Sequence, residues 1–340
     1  MRSSISNSSR EPKTRSWGVI WAVAAIVVLS AAATYELIWR YAGAEPNIDD
    51  DLALWALNRE MVSQNDGRKP LALLGTSRMH SGFCAQAFDA RHPGYKSVQL
   101  AWEGAHPLAV LEHLSKDVDF VGHVIVELDV TSFFPDKINS QRMLANYYDK
   151  NWSVIKKAER LWTLFLEGNF VIFSYETNPL RLMESVLLDG RLPRFGHYVA
   201  QRDRNLHLDY DGVDTTERLE SRISHARARV EIDKIISLSA VLAEAAKVKP
   251  WVESIERRGG KVVFVHSPIH PDLYKAETYK ATTKKYWNSI MRSNAFTAVH
   301  FADFQELRSF RPHDGVHLDF RTKCKFTEEL MKIIEQKVEF

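Results

Sequence analysis

The sequence predicts an α/β protein whose parallel sheet is covered by helices on both faces, with one N-terminal transmembrane helix and a large helical insertion. Three observations predict it. From residue 70 onward, short β-rich runs alternate with longer helical patterns, the rhythm of strands joined by crossover helices. That rhythm is broken once, between about residues 134 and 250, by amphipathic runs with no strand of the sheet among them. Residues 17–35, WGVIWAVAAIVVLSAAATY, carry no charge over nineteen positions.

Taken in order, residues 1–16 read as a disordered cytoplasmic tail containing the low-complexity run SSISNSS. The apolar run that follows, assigned to an anchor over 17–39, has the length that crosses a bilayer core at 1.5 Å rise per residue. Arg2, Arg10, Lys13 and Arg15 precede it, whereas Glu45 and the acidic triplet Asp49, Asp50 and Asp51 follow it. The positive-inside rule therefore leaves the N-terminus in the cytoplasm and everything beyond about residue 40 outside. Two other readings compete: a cleaved signal peptide, for which SAAATYE offers small residues, and a buried core helix, which the length disfavours. Residues 40–69 read as a stalk and a leading helix. The remainder, 70–337, reads as one domain interrupted by the insertion.

Strands are expected at Leu71–Gly75, Ser97–Ala101, His123–Val130, Lys261–His266 and Thr297–Ala302, with helices over PLAVLEHLSKD and KAETYKATTKKYWNSIMRS between them. In the insertion, WSVIKKAERLWTLFLE and TTERLESRISHARARVEIDKIISLSAVLAEAA have apolar residues at helical spacing. The second run is expected to end before Pro250. Hydrophobic residues make up 45% of the 340, which suits a packed core, and the net charge of +2 has no basic stripe within it, so nucleic acid is not an expected partner. There is no P-loop, no G-x-G-x-x-G and no H-E-x-x-H, and the thirteen histidines lack zinc-ligand spacing. No cofactor and no metal are expected.

In open α/β sheets, functional groups collect beyond the carboxyl ends of the strands. Those ends carry Gly75-Thr76-Ser77-Arg78 after the first strand, LAWEGAHP with Gly104 after the second, LDVTSF after the third and HSPIHP after the fourth. The last strand leads into Asp314-Gly315-Val316-His317 ahead of the C-terminal helix. A serine, a histidine and an aspartate thus fall on one rim, the set needed for a nucleophile, a general base and a group that orients the base. The plain alternative is that Ser77 is a turn serine after a buried strand.

On these blocks the chain resembles the SGNH (GDSL-like) hydrolase superfamily, in its membrane-anchored bacterial branch. That branch includes SGNH-type O-acetyltransferases of exopolysaccharides and the D-alanine transfer protein of teichoic acid systems. The resemblance covers about residues 70–132 and 260–337 and leaves the insertion outside it. It implies a three-layer α/β/α flavodoxin-like fold with a catalytic Ser77, His317 and Asp314. It also implies an oxyanion hole from the N–H groups of Ser77 and Gly104. The family's third block supplies an asparagine after the third strand, and LDVTSF has none; Thr131 is the substitute donor the sequence offers. Losing one oxyanion donor costs about 2.7–4 kcal/mol of transition-state stabilisation, which weighs against efficient hydrolysis.

Three neighbours are weaker substrate-binding candidates. Arg78 would position an anion, or else form a salt bridge; Trp102 would stack on a sugar, or else pack in the core; His270 would line the pocket, or else hold its loop. Cys84 and Cys324, the two cysteines, lie seven residues after Ser77 and His317 respectively. If both site residues start helices, the cysteines sit about two turns down neighbouring helices and a disulfide can join them; two unpaired thiols are the alternative.

The resemblance implies a protein of the bacterial inner membrane with its catalytic domain in the periplasm. It would act as an O-acyltransferase, in the first instance an O-acetyltransferase, on a cell-envelope or secreted polysaccharide. Acetyl donors are cytoplasmic, so a membrane-bound O-acyltransferase is the implied partner. A carbohydrate esterase with the same triad, and an inactive SGNH-fold module that binds polysaccharide or assembles a complex, are the alternatives.

Overall fold

The computed structural model describes residues 17–339, apart from 136, 175–176, 191–196, 234–236 and 279–281. The tail expected over residues 1–16 lies outside the described residues. Trp17–Tyr41 forms one helix, long and apolar enough to cross a membrane, with none of its residues buried.

Five strands build the main sheet: β1 (Lys69–Leu74), β2 (Tyr95–Gln99), β3 (His123–Glu127), β6 (Val262–His266) and β7 (Thr297–His300). They lie in the order β2-β1-β3-β6-β7, and every neighbouring pair is parallel. Growth outward in both directions from β1 and β3 is the doubly wound flavodoxin-like order. The period-two alternation of a strand divides the core between the two faces. Ala72, Leu74, Val124, Val126, Val262 and Phe264 point into one apolar cluster, which the helices Leu52–Met61, Leu108–Lys116 and Leu238–Arg257 cover. Leu71, Leu73, Ile125, Val263 and Val265 point into the other, closed by Phe83 and Phe88 and by Phe326, Leu330 and Ile334 of the C-terminal helix Phe320–Glu335. The three-layer α/β/α arrangement expected from the strand–helix rhythm is the one the chain adopts.

The fourth expected strand ends at His266 as read, whereas the other four stop one to three residues early, and after β3 and β7 the cause is local capping. β3 ends at Glu127 because the Asp129 side chain accepts the N–H of Thr131 and starts a 3₁₀ turn, Val130–Phe133. β7 ends at His300 because its ring accepts the N–H of Ala302 at the head of another, Phe301–Asp303.

Among the described residues, the stretch between β3 and β6 adds no strand to the main sheet, but it is not wholly helical. Two short antiparallel strands, β4 (Tyr198–Ala200) and β5 (Leu206–Leu208), pair as a separate hairpin. Three-residue strands among polar residues show too little alternation to be read in advance. The long helical run is two helices, Thr216–Asp233 and Leu238–Arg257, and Pro250 lies inside the second instead of beyond its end. A proline costs the helix one N–H bond there. Val248, Val252 and Ile255 around it are buried against the sheet, and that packing carries the helix through.

Cys84 and Cys324 are joined by a disulfide, with Cα atoms 4.8 Å apart. The segment after Ser77 is two short helices, Ser77–Gly82 and Ala85–Arg91, and Cys84 caps the second of them. The bond fastens this segment to the C-terminal helix across the lower layer.

Candidate active site

Ser77 is the first residue of the helix that β1 runs into, with Thr76 as its N-cap. The turn requires Gly75. A Cβ there would stand 2.5 Å from that of Met79 and 2.9 Å from that of Glu127. Thr76 donates its hydroxyl and its N–H to Glu127, the fully buried last residue of β3, at 2.9 and 3.2 Å. Arg78 pairs with the same carboxylate at 2.9 Å and with Asp129 at 3.2 Å. Burial pushes the Glu127 pKa up, with Arg78 acting against it. The residues on either side of Ser77 are thus bound into the sheet, which leaves its hydroxyl little freedom of position.

Asp314 shapes the loop ahead of the C-terminal helix. Its Oδ1 accepts the N–H groups of Val316 and His317 at 3.1 and 2.9 Å. Its Oδ2 stands 2.8 Å from His317 Nδ1, and His317 Nε2 stands 2.8 Å from Ser77 Oγ. An ionised carboxylate only accepts, so Nδ1 carries the proton and Nε2 is left to accept from the serine hydroxyl. Asp314 is 2% exposed. Burial pushes its pKa up, but the His317 ring and the two backbone N–H groups outweigh it and hold the carboxyl well below the usual range.

A cavity of about 370 Å³ opens above this row. Ser77, Gly104, Asp314 and His317 form its floor, and the insertion forms its roof through the hairpin, Tyr210 and the helix Thr216–Asp233. Gly104 has φ +67°, left-handed backbone in which a side chain is strained. Arg222 reaches down to Asp314 Oδ2 at 3.2 Å. Burial, and then the Asp314 charge to which its hydroxyl is bonded, raise the Tyr210 pKa. Tyr198 donates to Glu103 at 2.7 Å. The roof is polar and aromatic, with few aliphatic groups.

Arg204 holds the roof in place. Its side chain is fully buried, with Nε and Nη2 on the two oxygens of Asp50 at 2.5 and 2.7 Å. It also donates to the carbonyls of Gln99 and Ala101 at 2.8 and 3.0 Å. The leading segment, the end of β2 and the insertion hairpin meet at this one guanidinium.

The other expected site residues lie elsewhere. The Thr131 hydroxyl donates to Asp129, and Thr131 is not on the cavity wall. Arg78 is engaged by Glu127 and Asp129, 10% exposed, below the floor. Trp102 packs at the edge of the core with the Arg204 guanidinium 5.7 Å over its ring. His270 donates its backbone N–H to the Gly315 carbonyl at 2.8 Å and so holds the Asp314 loop. The polar and aromatic wall residues that sequence reasoning missed are Glu103, His197, Tyr198, Tyr210, Arg218 and Arg222. Glu103 adjoins Gly104 and was within reach of the motif; the other five sit in the insertion, where no motif marks them. Among the described residues, no group of three or more His, Cys, Asp or Glu is arranged to hold a metal ion.

No protein-family model matches the chain, and no curated protein matches it. Among solved structures it is similar to one titled "Crystal Structure of TesA", with a TM-score of 0.36 and 9% identity over 79% of this chain and 100% of that one. That likeness is loose.

Proposed function

We propose that the protein is an SGNH-type serine acyl-transfer enzyme that moves an acyl group, acetyl in the first instance, onto a hydroxyl of an envelope or secreted polysaccharide. The observation that carries this reading is the hydrogen-bonded row Asp314–His317–Ser77, with both outer bonds 2.8 Å, on the floor of a cavity. His317 Nε2 takes the hydroxyl proton as Ser77 Oγ attacks the donor's carbonyl carbon. The N–H groups of Ser77 and Gly104 receive the oxyanion. The imidazolium returns the proton to the leaving group, which departs and leaves an ester on Ser77. An acceptor hydroxyl then attacks that ester, gives its proton to His317 and takes the acyl group, and Ser77 recovers its proton.

One feature favours a sugar acceptor over a lipid chain. The cavity is lined by two tyrosines, a histidine, a glutamate and two arginines, groups that hydrogen-bond hydroxyls. Thr131 spends its hydroxyl on Asp129 and supplies no third oxyanion donor, which slows attack on the acyl-enzyme by water and by a sugar hydroxyl alike. The helix Trp17–Tyr41 anchors the domain on the periplasmic side of the bacterial inner membrane, and a membrane-bound O-acyltransferase supplies the acyl group there. The test treats the full chain in detergent with a fluorophosphonate and reads intact mass. One adduct, lost in Ser77→Ala and in His317→Ala, is expected; a folded protein without an adduct refutes the reading. With an aryl acetate donor, turnover that requires an added acceptor sugar marks a transferase, and equal turnover without it marks an esterase.

A further inference from the structure

Twelve of the sixteen exposed large apolar side chains outside the anchor helix, among the described residues, fall within residues 154–188. They sit on the helices Val154–Glu167 and Pro179–Asp189 and on the segment between them. The first helix buries Leu164 and exposes Lys156 and Glu159 as a soluble helix would, yet it also buries two charges and exposes most of its apolar side chains. Its polar residues Arg160 and Glu167 are buried, ion-paired at 2.9 Å, and Arg160 also donates to the Asp49 carbonyl. Its outward stripe repeats at helical spacing through Ile155, Leu161, Trp162 and Phe165, which are 79, 49, 63 and 50% exposed. The second helix adds Leu180, Leu187 and Leu188, each more than 70% exposed. Apolar patches of this extent on one surface mark a contact with something else.

The anchor says what that something is. The segment joining the two helices is where the outer end of Trp17–Tyr41 rests. Glu36 accepts the N–H groups of Val171 and Ile172 at 2.9 and 3.0 Å. Tyr35 donates to the Thr177 carbonyl at 2.5 Å, and Arg40 to that of Asn169 at 2.8 Å. About twenty residues span a bilayer core, so a helix that starts at Trp17 leaves the hydrocarbon near Glu36, its first charge. The joining segment is therefore held at the level of the membrane surface, with an apolar helix on each side of it. Trp162 is an aromatic group favoured at that depth, and Phe165, whose ring lies 5.7 Å from it, and the Phe170–Phe173 pair are apolar groups of the kind an interfacial segment buries.

We propose that residues 154–188 are a second membrane contact, an interfacial platform whose two helices lie in the headgroup–acyl boundary of the leaflet from which the anchor emerges. The proposal rests on the reading of Trp17–Tyr41 as membrane-spanning. An amphipathic helix binds that boundary by its apolar face alone. Two contacts, instead of one flexible tether, would fix the orientation of the domain and the height of its cavity above the lipid.

The full chain is reconstituted in vesicles of phosphatidylethanolamine and phosphatidylglycerol, with a single polarity-sensitive fluorophore on Leu29→Cys, Phe165→Cys, Leu187→Cys or Lys332→Cys. The native cysteines are bonded to each other and do not label. Lys332, exposed on the C-terminal helix of the opposite layer, is the control. Spin-labelled lipids should quench Leu29→Cys, Phe165→Cys and Leu187→Cys, the last two most strongly with labels near the headgroup, and leave Lys332→Cys unquenched. Quenching at Leu29→Cys but none at Phe165→Cys and Leu187→Cys overturns the platform and keeps the anchor. Protection of those two only after a membrane protein partner is added also overturns it, in favour of a protein occupant. No quenching at Leu29→Cys overturns the anchor and the platform together. As a label-free measurement, a photoactivatable lipid should crosslink the unmodified chain within 154–188 as well as within 17–41; adducts confined to 17–41 refute the platform.

Discussion

Asp314→Asn removes a charge and leaves the shape of the site, and its effect follows from the bonds of the carboxylate. Oδ1 accepts two backbone N–H groups and Oδ2 faces His317 Nδ1 at 2.8 Å. An asparagine has one accepting end and one donating end. With its oxygen toward the backbone N–H pair, its NH₂ meets Nδ1, which must then give up its proton and become the acceptor. The proton moves to Nε2, the atom 2.8 Å from Ser77 Oγ, and the base can no longer take the serine proton. With the amide reversed, the NH₂ opposes two N–H groups and the loop is unsettled. The first arrangement also turns the NH₂ toward the Arg222 guanidinium, which is 39% exposed and can swing to solvent, whereas the two backbone N–H groups cannot move, so the first arrangement costs least. A histidine held in the wrong tautomer loses on the order of 10³–10⁴ in rate, about 4–5.5 kcal/mol of transition-state stabilisation. The assay is the fluorophosphonate labelling rate of full-length wild type and Asp314→Asn, alongside thermal unfolding. Labelling within about threefold of wild type, less than about 1 kcal/mol by the same arithmetic, would refute the idea that Asp314 sets the tautomer.

Three further outcomes follow from the packing. Arg204→Met should destabilise by about 3–5 kcal/mol, because it leaves the Asp50 carboxylate, only 12% exposed, without the guanidinium that pairs both its oxygens; a loss below about 1 kcal/mol by thermal unfolding would show that Asp50 finds water instead. Reduction, or the double change Cys84→Ser and Cys324→Ser, opens a link between residues 240 apart and should cost about 2–5 kcal/mol; identical unfolding in oxidised and reduced protein refutes it. His80 and His266 are buried, and burial pushes each pKa down from 6.5 to about 4. Unfolded chains take up those protons near pH 6.5 and the folded chain only near 4, so stability is full above 6.5 and falls as pH drops through that window. Each histidine contributes up to about 1.4 kcal/mol per pH unit. A melting temperature constant from pH 7 to 4.5 would contradict this, and His80→Gln should flatten the slope.

The main layers were legible because their signals are short in range. The central strands β1, β3 and β6 are runs of mostly apolar residues whose side chains alternate between two cores, and Leu71–Leu74 shows the division in four residues. The helix Trp17–Tyr41, long and apolar enough to cross a membrane, was legible from length and absence of charge, which need no partner. The loops bearing Ser77, Gly104, Asp314 and His317 could be put on one rim because a parallel sheet delivers every strand end to the same side. Strand ends were read too long, since a cap such as the Asp129 side chain on the Thr131 N–H overrides an apolar run.

What sequence alone determined is the sheet, the helices that cover it, one apolar helix long enough to cross a membrane and the rim that the strand ends share. All of these follow from local patterns, a few residues long for a strand and 25 for the apolar helix. Only the tertiary structure decided what lies above that rim. The hairpin Tyr198–Leu208 and the helix Thr216–Asp233 come to roof the cavity because a buried guanidinium, Arg204, finds Asp50 some 154 positions away. Arg222 reaches Asp314 across 92 positions. It also decided that Thr131 and Arg78, both plausible by position, spend their donors on Asp129 and Glu127. Contacts over such separations are set by which buried charges must be paired, and a linear pattern carries no record of that pairing.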